Sequence, residues 1–89
     1  MKPWELIEHN DWCQEAWART CTGEATHYTD PDATSYCVFS AIQHTGNNQT
    51  PFMDWLAKHN LPCSGTVDWN DDPKRTKEEV LAALKEAYP

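Results

Sequence analysis

The sequence has no long hydrophobic run. None of its apolar stretches approaches the roughly 18 residues that a bilayer-spanning helix needs. Residues 1–10 also lack the apolar centre of a secretory signal peptide, and the chain opens with Met1. We therefore expect a cytoplasmic protein with no membrane partner.

Basic residues are scarce. The chain has 7 Lys and Arg against 14 Asp and Glu, which gives a formal net charge of −7. Nucleic acid is an unfavourable direct partner, because binding to phosphates depends on Lys and Arg displacing counterions. A solvated acidic surface is the simpler interpretation of this charge, and a basic protein partner is the functional one.

The four cysteines include no C-x-x-C pair. In a reducing cytosol the default is free, mostly buried thiols, and two disulfides remain the alternative for a secreted protein. Cys13, Cys21, His27 and Cys37 supply four zinc ligands, but their separations of seven, five and nine residues resemble no zinc knuckle. This set is a weak alternative, and we expect no cofactor.

Cysteine–histidine catalysis is a second alternative. Cys21 with His27, or Cys63 with His59, would supply a thiol and an imidazole. The sequence indicates no third group for an oxyanion, so it favours a protein without catalytic activity.

The C-terminal turn is rich in oxygen ligands, namely Asp68, Asn70, Asp71 and Asp72. Hard cations bind such groups, but the spacing does not match an EF-hand loop. The structural interpretation is favoured: Asp71 accepts hydrogen bonds from turn amides or pairs with Arg75, and so fixes how Trp69 enters the core.

Helix signals recur along the chain, and its 89 residues suit a single domain spanning residues 1–89. Pro3 opens a short first helix. Asp30-Pro31-Asp32 predicts the start of a buried central helix over residues 33–45, which Gly46 ends.

Two more helices follow in the second half. Thr50-Pro51 opens one that Asn60 and Pro62 stop. Val67 and Trp69 read as an extended entry to a capping box, formed by Thr76 and Glu79, that starts the last helix.

A small β-hairpin is predicted near the N-terminus. Thr22-Gly23 reads as its turn, between residues 17–21 and 24–28. The predicted fold class is mainly α: a small domain of three to four helices with an optional short β-hairpin.

Two passages carry a family resemblance. Residues 69–80 read W-N-D-D-P-K-R-T-K-E-E-V, and residues 12–19 read W-C-Q-E-A-W-A-R, followed later by Tyr36-Cys37. Covering about half of the chain, they resemble an uncharacterised family of small proteins from bacteria and their phages. Members of that family have a longer N-terminal helix, and a Gly-Ala pair where this chain has Ser40-Ala41. The resemblance implies a fold and an origin but no activity.

The function that we predict is a small acidic protein-binding module without catalytic activity, such as a phage-encoded regulator or inhibitor of a host protein. Its acidic faces would dock on a basic protein. The candidate partner-binding residues are Asp68, Asp71, Asp72, Glu78, Trp12 and Trp17. For each of the two tryptophans a place in the core is the simpler interpretation. The alternative function is a small zinc-binding protein or a cysteine-dependent enzyme.

Overall fold

The computed structural model describes residues 1–59 and 65–89. In it, one helix is followed along the chain by three strands and then by four helices. In chain order the elements are α1 (Pro3–His9), β1 (Ala18–Thr20), β2 (Ala25–Thr26), β3 (Ala33–Tyr36), α2 (Val38–His44), α3 (Thr50–Lys58), α4 (Thr66–Asn70) and α5 (Lys77–Ala87). The described residues thus form five helices and a three-stranded sheet in one small domain. About half of them are helical, so the mainly α class is correct only in part.

The sheet is antiparallel, with the strand order β2-β1-β3. Its β1–β2 pair is the predicted hairpin in a shorter form. Gly23 has a φ of 87° in the turn, a left-handed conformation that glycine adopts without a Cβ clash. The outer edge of β3 is covered, because the Cys13 amide donates to the Tyr36 carbonyl at 3.1 Å and the Tyr36 amide donates to the Asp11 carbonyl at 3.0 Å.

The single helix predicted over residues 33–45 is wrong, since this segment forms β3 and then α2. The Asp30 carboxylate accepts the Asp32 amide, and the Asp30 carbonyl accepts the Ala33 amide. Asp-Pro-Asp is therefore a turn, which releases the next residues to pair with β1. The α2 helix begins only after Cys37, whose sulfur accepts the Ser40 amide at 3.4 Å.

The extended entry predicted at Val67 and Trp69 is also wrong, because both residues lie in the short helix α4. The Trp69 amide donates to the Gly65 carbonyl, and the Asp71 amide donates to the Val67 carbonyl. One helical turn directs Trp69 and Asn70 into the core and leaves Val67 exposed. Val67 and Trp69 alternate with polar residues as in a strand, and the segment is too short to show the period of a helix.

The remaining helix predictions agree with the structure. Pro3 occupies the first turn of α1, and Gly46, with a φ of 73°, follows the end of α2. α3 begins at Thr50, and α5 begins after the capping box of Thr76 and Glu79. The predicted stop at Asn60 and Pro62, together with Cys63, lies outside the described residues.

The core lies where α1, α2, α3 and α5 meet. Its fully buried apolar side chains include Ile7, Val38, Ile42, Phe52, Val80 and Leu84. The two chain ends meet beside it: the Trp4 indole donates to the Tyr88 carbonyl at 2.8 Å, and Lys2 donates to the Pro89 carbonyl. Every helix in residues 1–59 and 65–89 is too short or too polar to cross a bilayer.

Candidate functional site

The side chain of Asn70 joins the two sequence passages that carry the family resemblance. It is completely buried, and its oxygen accepts the Trp12 indole N–H at 2.6 Å and the Val38 amide at 2.9 Å. Its amide nitrogen donates to the Cys13 carbonyl at 3.1 Å and to the Asp71 carboxylate at 2.9 Å. All the hydrogen-bonding groups of this side chain are therefore used within the protein.

Asp71 extends this network to the surface. Its carboxylate also accepts the amide of Glu15 at 2.9 Å. Glu15 has a φ of 61°, a left-handed conformation that is uncommon for a residue with a Cβ. The bond from Asp71 holds the backbone at the point from which Ala16 and Trp17 continue, so Asn70 and Asp71 together position Trp17.

Arg75 does not pair with Asp71, which was one of the roles predicted for that carboxylate. Its guanidinium lies 4.0 Å from the centre of the Trp69 ring and donates to Glu79 at 3.0 Å. Asp72 is its other acidic neighbour, at 3.8 Å. Arg75 thus covers Trp69 and links the turn to α5, whereas Asp71 serves the N-terminal segment.

An open hollow of about 740 Å³ lies next to Trp17. Trp17 is 47% exposed and its ring contacts Phe39 in a tilted arrangement, with ring centres 5.1 Å apart, and Val67 is 43% exposed. The lining residues are Glu15, Ala16, Trp17, Ala25, Thr26, Cys37, Val67 and Asp71. This lining is apolar with two carboxylates and contains no Lys or Arg among the described residues.

A second hollow of about 340 Å³ is adjacent to the first, and Val67 lines both. Phe39, Met53 and Asp68 also line it, and Met53 is 54% exposed. Gln49 contributes a buried side-chain oxygen for which the described residues provide no hydrogen-bond donor.

We call these two hollows together the acid-rimmed groove. Its apolar surface is Trp17, Phe39, Met53 and Val67, and its carboxylates are Glu15, Asp68 and Asp71.

Only some of the predicted partner-binding residues line the acid-rimmed groove. Trp17 and Asp71 line the first hollow, and Asp68 lines the second. Trp12 is partly buried, with its indole bonded to Asn70, so it belongs to the core network. Asp72 and Glu78 are exposed and line neither hollow.

Val67, Phe39, Met53 and Gln49 were not identified from the sequence as site residues. Val67 was expected in an extended entry with Trp69, whereas the helix α4 leaves it exposed at the groove. The sequence offered no signal for this, since residues 67–70 alternate apolar and polar as in a strand, and the pairing of two exposed with two buried residues is visible only in the structure.

The described thiols are not arranged for catalysis. Burial raises the pKa of Cys13 to about 11 and also raises the pKa of Cys37, which keeps both protonated and weakly nucleophilic. Cys37 lines the first hollow, but no described histidine does. Cys21 lies at the hairpin turn and His27 beyond its far end, roughly 13 Å apart at the rise of a β-strand. Cys63, the thiol suggested as a partner for His59, is outside the described residues.

The four residues of the weak zinc alternative are not brought together. Cys13 and Cys37 are buried, whereas Cys21 is exposed and His27 stacks on Tyr28. Within residues 1–59 and 65–89, no three His, Cys, Asp or Glu side chains form a group able to hold a metal ion. The carboxylates of the W-N-D turn bind amides and Arg75 instead.

The fold and the groove define a small α+β domain with an open, acid-rimmed apolar surface. The chain belongs to DUF6197, a family of unknown function, whose model matches residues 4–88. No curated protein and no solved structure matches the chain. The expectation of an uncharacterised family is thereby confirmed, and the family assignment carries no activity.

Proposed function

We propose that this protein is a small acidic protein-binding module that acts by docking on a basic partner protein and not by catalysis. The observation that carries the proposal is the first hollow, where the half-exposed rings and methyl groups of Trp17 and Val67 lie beside the carboxylates of Glu15 and Asp71. An exposed aromatic side chain in a pocket is the usual anchor of a protein interface. Carboxylates at its rim favour a cationic partner and speed its approach.

A regulatory role fits this proposal better than an enzymatic one. The thiol that faces the hollow is held protonated by burial, and a catalytic nucleophile would need the opposite shift of its pKa. The resemblance of the two motifs supports an origin in a bacterium or its phage. Inhibition of a host protein is the role that such an origin suggests for a small acidic binding module.

The test begins with affinity capture from a bacterial lysate on the immobilised full chain, followed by purification of the captured protein. We expect direct binding in calorimetry, with an affinity that falls by about tenfold or more between low salt and about 0.5 M NaCl. Binding should weaken by a similar factor for Trp17→Ala.

The control for the tryptophan is His9→Ala, since His9 carries an exposed ring and lines neither hollow. A partner that binds equally at both salt concentrations would contradict the proposal, as would turnover of a substrate by the purified protein.

A further inference from the structure

We infer that the acid-rimmed groove binds an extended segment of the partner, one that carries a large apolar side chain flanked by Lys or Arg. This inference rests on the proposed function and deepens it by specifying the occupant. Three observations on the described residues support it: the exposed edge of β2, the charge of the rim and an unpaired acceptor in the second hollow.

The edge of β2 favours an extended segment. The Thr20 amide donates to the Glu24 carbonyl, so these residues form a hydrogen-bonded pair across the hairpin. Hydrogen-bonded and non-hydrogen-bonded pairs alternate in an antiparallel ladder, and Ala25 is therefore in a non-hydrogen-bonded pair with Arg19. Its N–H and C=O point away from β1, at the edge of the sheet where Ala25 lines the first hollow. Addition of a strand at such an edge is a common mode of peptide recognition.

The apolar side chain is placed by the first hollow. A segment that pairs with Ala25 presents alternate side chains to the same face, and that face adjoins Trp17 and Val67. A volume of about 740 Å³ has room for an aliphatic or aromatic side chain. Burying the exposed parts of Trp17 and Val67 would provide the apolar contribution to affinity.

The flanking cations follow from charge complementarity. Three carboxylates, of Glu15, Asp68 and Asp71, line the groove, and none of the described lining residues is a Lys or Arg. Gln49 lines the second hollow, and its side-chain oxygen is buried without a donor from the described residues. A Lys or Arg side chain supplies N–H donors to such an oxygen and positive charge to the rim. An acidic segment would meet repulsion at the same positions.

The test is a selection from a library of random peptides of about 12 residues on the immobilised full chain, which needs no knowledge of the natural partner. We expect the enriched peptides to contain a large apolar residue with Lys or Arg within two positions. The dissociation constants of synthesised winners should rise by about tenfold for Trp17→Ala and for Glu15→Lys.

Two further variants separate binding from folding. Val67→Lys changes an exposed side chain of α4 and should weaken binding by about tenfold with an unchanged circular dichroism spectrum. Ala25→Pro removes the outward N–H without removing a bond to β1, and we expect a loss of about fivefold. The control Glu78→Lys reverses an exposed charge outside the groove and should change affinity by less than about twofold.

The inference is overturned if the enriched peptides lack Lys and Arg, or if they bind Trp17→Ala and Val67→Lys as tightly as the wild type. Its failure can be told apart from failure of the proposed function. If a captured protein partner loses affinity at high salt and for Trp17→Ala but no peptide is enriched, the proposed function stands and the occupant of the groove is not an extended segment. If neither peptides nor a partner protein bind, both proposals fail.

Discussion

At the scale of single residues, the buried side chain of Asn70 connects distant parts of the chain by hydrogen bonds, which the apolar side chains around it cannot do. A carboxamide accepts and donates at once, so Asn70 can satisfy the Trp12 indole, the Val38 amide and the Cys13 carbonyl together. These groups come from two separate segments, residues 12–13 and Val38, which the buried Asn70 side chain joins to α4. No other side chain of similar size offers the same set of bonds: Asp lacks the donor, and Leu lacks both.

We expect Asn70→Ala to lower the free energy of unfolding by about 3 kcal/mol, because it leaves buried donors and an acceptor unpaired. Urea denaturation followed by tryptophan fluorescence measures the change. Asn10→Ala is the matched control, since Asn10 is exposed and its side chain makes one bond, to the Leu6 carbonyl. A loss for Asn70→Ala below about 1 kcal/mol would show that water replaces the missing bonds.

The Cys13 thiol provides a prediction about pH. Its folded-state pKa of about 11 lies above the ordinary value of 9.0, chiefly because burial disfavours the thiolate. The folded protein therefore holds this proton more tightly than the unfolded chain. The corresponding stability is complete below about pH 9 and is lost as the pH rises towards about 11.

Urea denaturation between about pH 8 and about pH 11 should consequently give a steeper loss of stability for the wild type than for Cys13→Ala. Cys21→Ala serves as the control, because Cys21 is exposed and should leave the wild-type profile unchanged. Parallel profiles for the wild type and Cys13→Ala would refute the prediction.

At the scale of elements, the helix ends with familiar capping residues were predictable from the sequence. Pro3, Gly46, Pro51 and the box of Thr76 and Glu79 all act where such residues usually act. The wrong secondary-structure predictions occurred where one short sequence is compatible with two structures. Asp30-Pro31-Asp32 suits a helix start and a turn equally, and pairing with β1, a tertiary contact, decided for the turn.

The candidate site was only partly predictable for a related reason. Charge and exposure suggested Asp68, Asp71 and Trp17, and these do line the groove. Trp12 packs against the core, which was the simpler of its two interpretations, whereas Val67 is exposed because the single turn of α4 buries Trp69 and Asn70 instead. The unusual backbone of Glu15 has no signature in the sequence, since its amide donates to a carboxylate 56 positions away.

The capping box of α5 leads to a stability prediction at this scale. Thr76 accepts the Glu79 amide, and Glu79 accepts the Thr76 amide in return. Thr76→Ala should destabilise the protein by about 1 kcal/mol, whereas Thr76→Ser retains the hydroxyl and should change stability by less than half of that. Urea titration of both variants measures the difference, and equal losses would assign the effect to the methyl group instead of the cap.

At the scale of the whole molecule, the dominant property is charge. A net charge of −7 is held within a Cα radius of gyration of 12.0 Å, and mutual repulsion of the carboxylates opposes the compact state. Under the proposed function, a cationic partner would relieve this repulsion on binding, so the same charges would oppose folding and favour binding.

Adding about 0.5 M NaCl should therefore stabilise the free protein by on the order of 1 kcal/mol, seen as a rise of a few degrees in Tm. The gain should be smaller for Glu78→Lys, whose net charge is less negative by two. Equal gains in the two proteins would mean that salt acts through apolar burial and not through charge.

The hydrogen bonds of Asn70 to residues far away in the sequence also have a consequence for folding during synthesis. Its bonds to Trp12 and Cys13 join residues 58 and 57 positions apart, so a growing polypeptide cannot form them until residues 66–70 have left the ribosome. Until then the N-terminal two thirds retain an indole and backbone groups with no partner, and apolar surface that the last helices later cover. Nascent chains that end before this point lack both the partner of the Trp12 indole and the apolar cover of α5, so we expect chaperones and proteases to recognise them as incomplete.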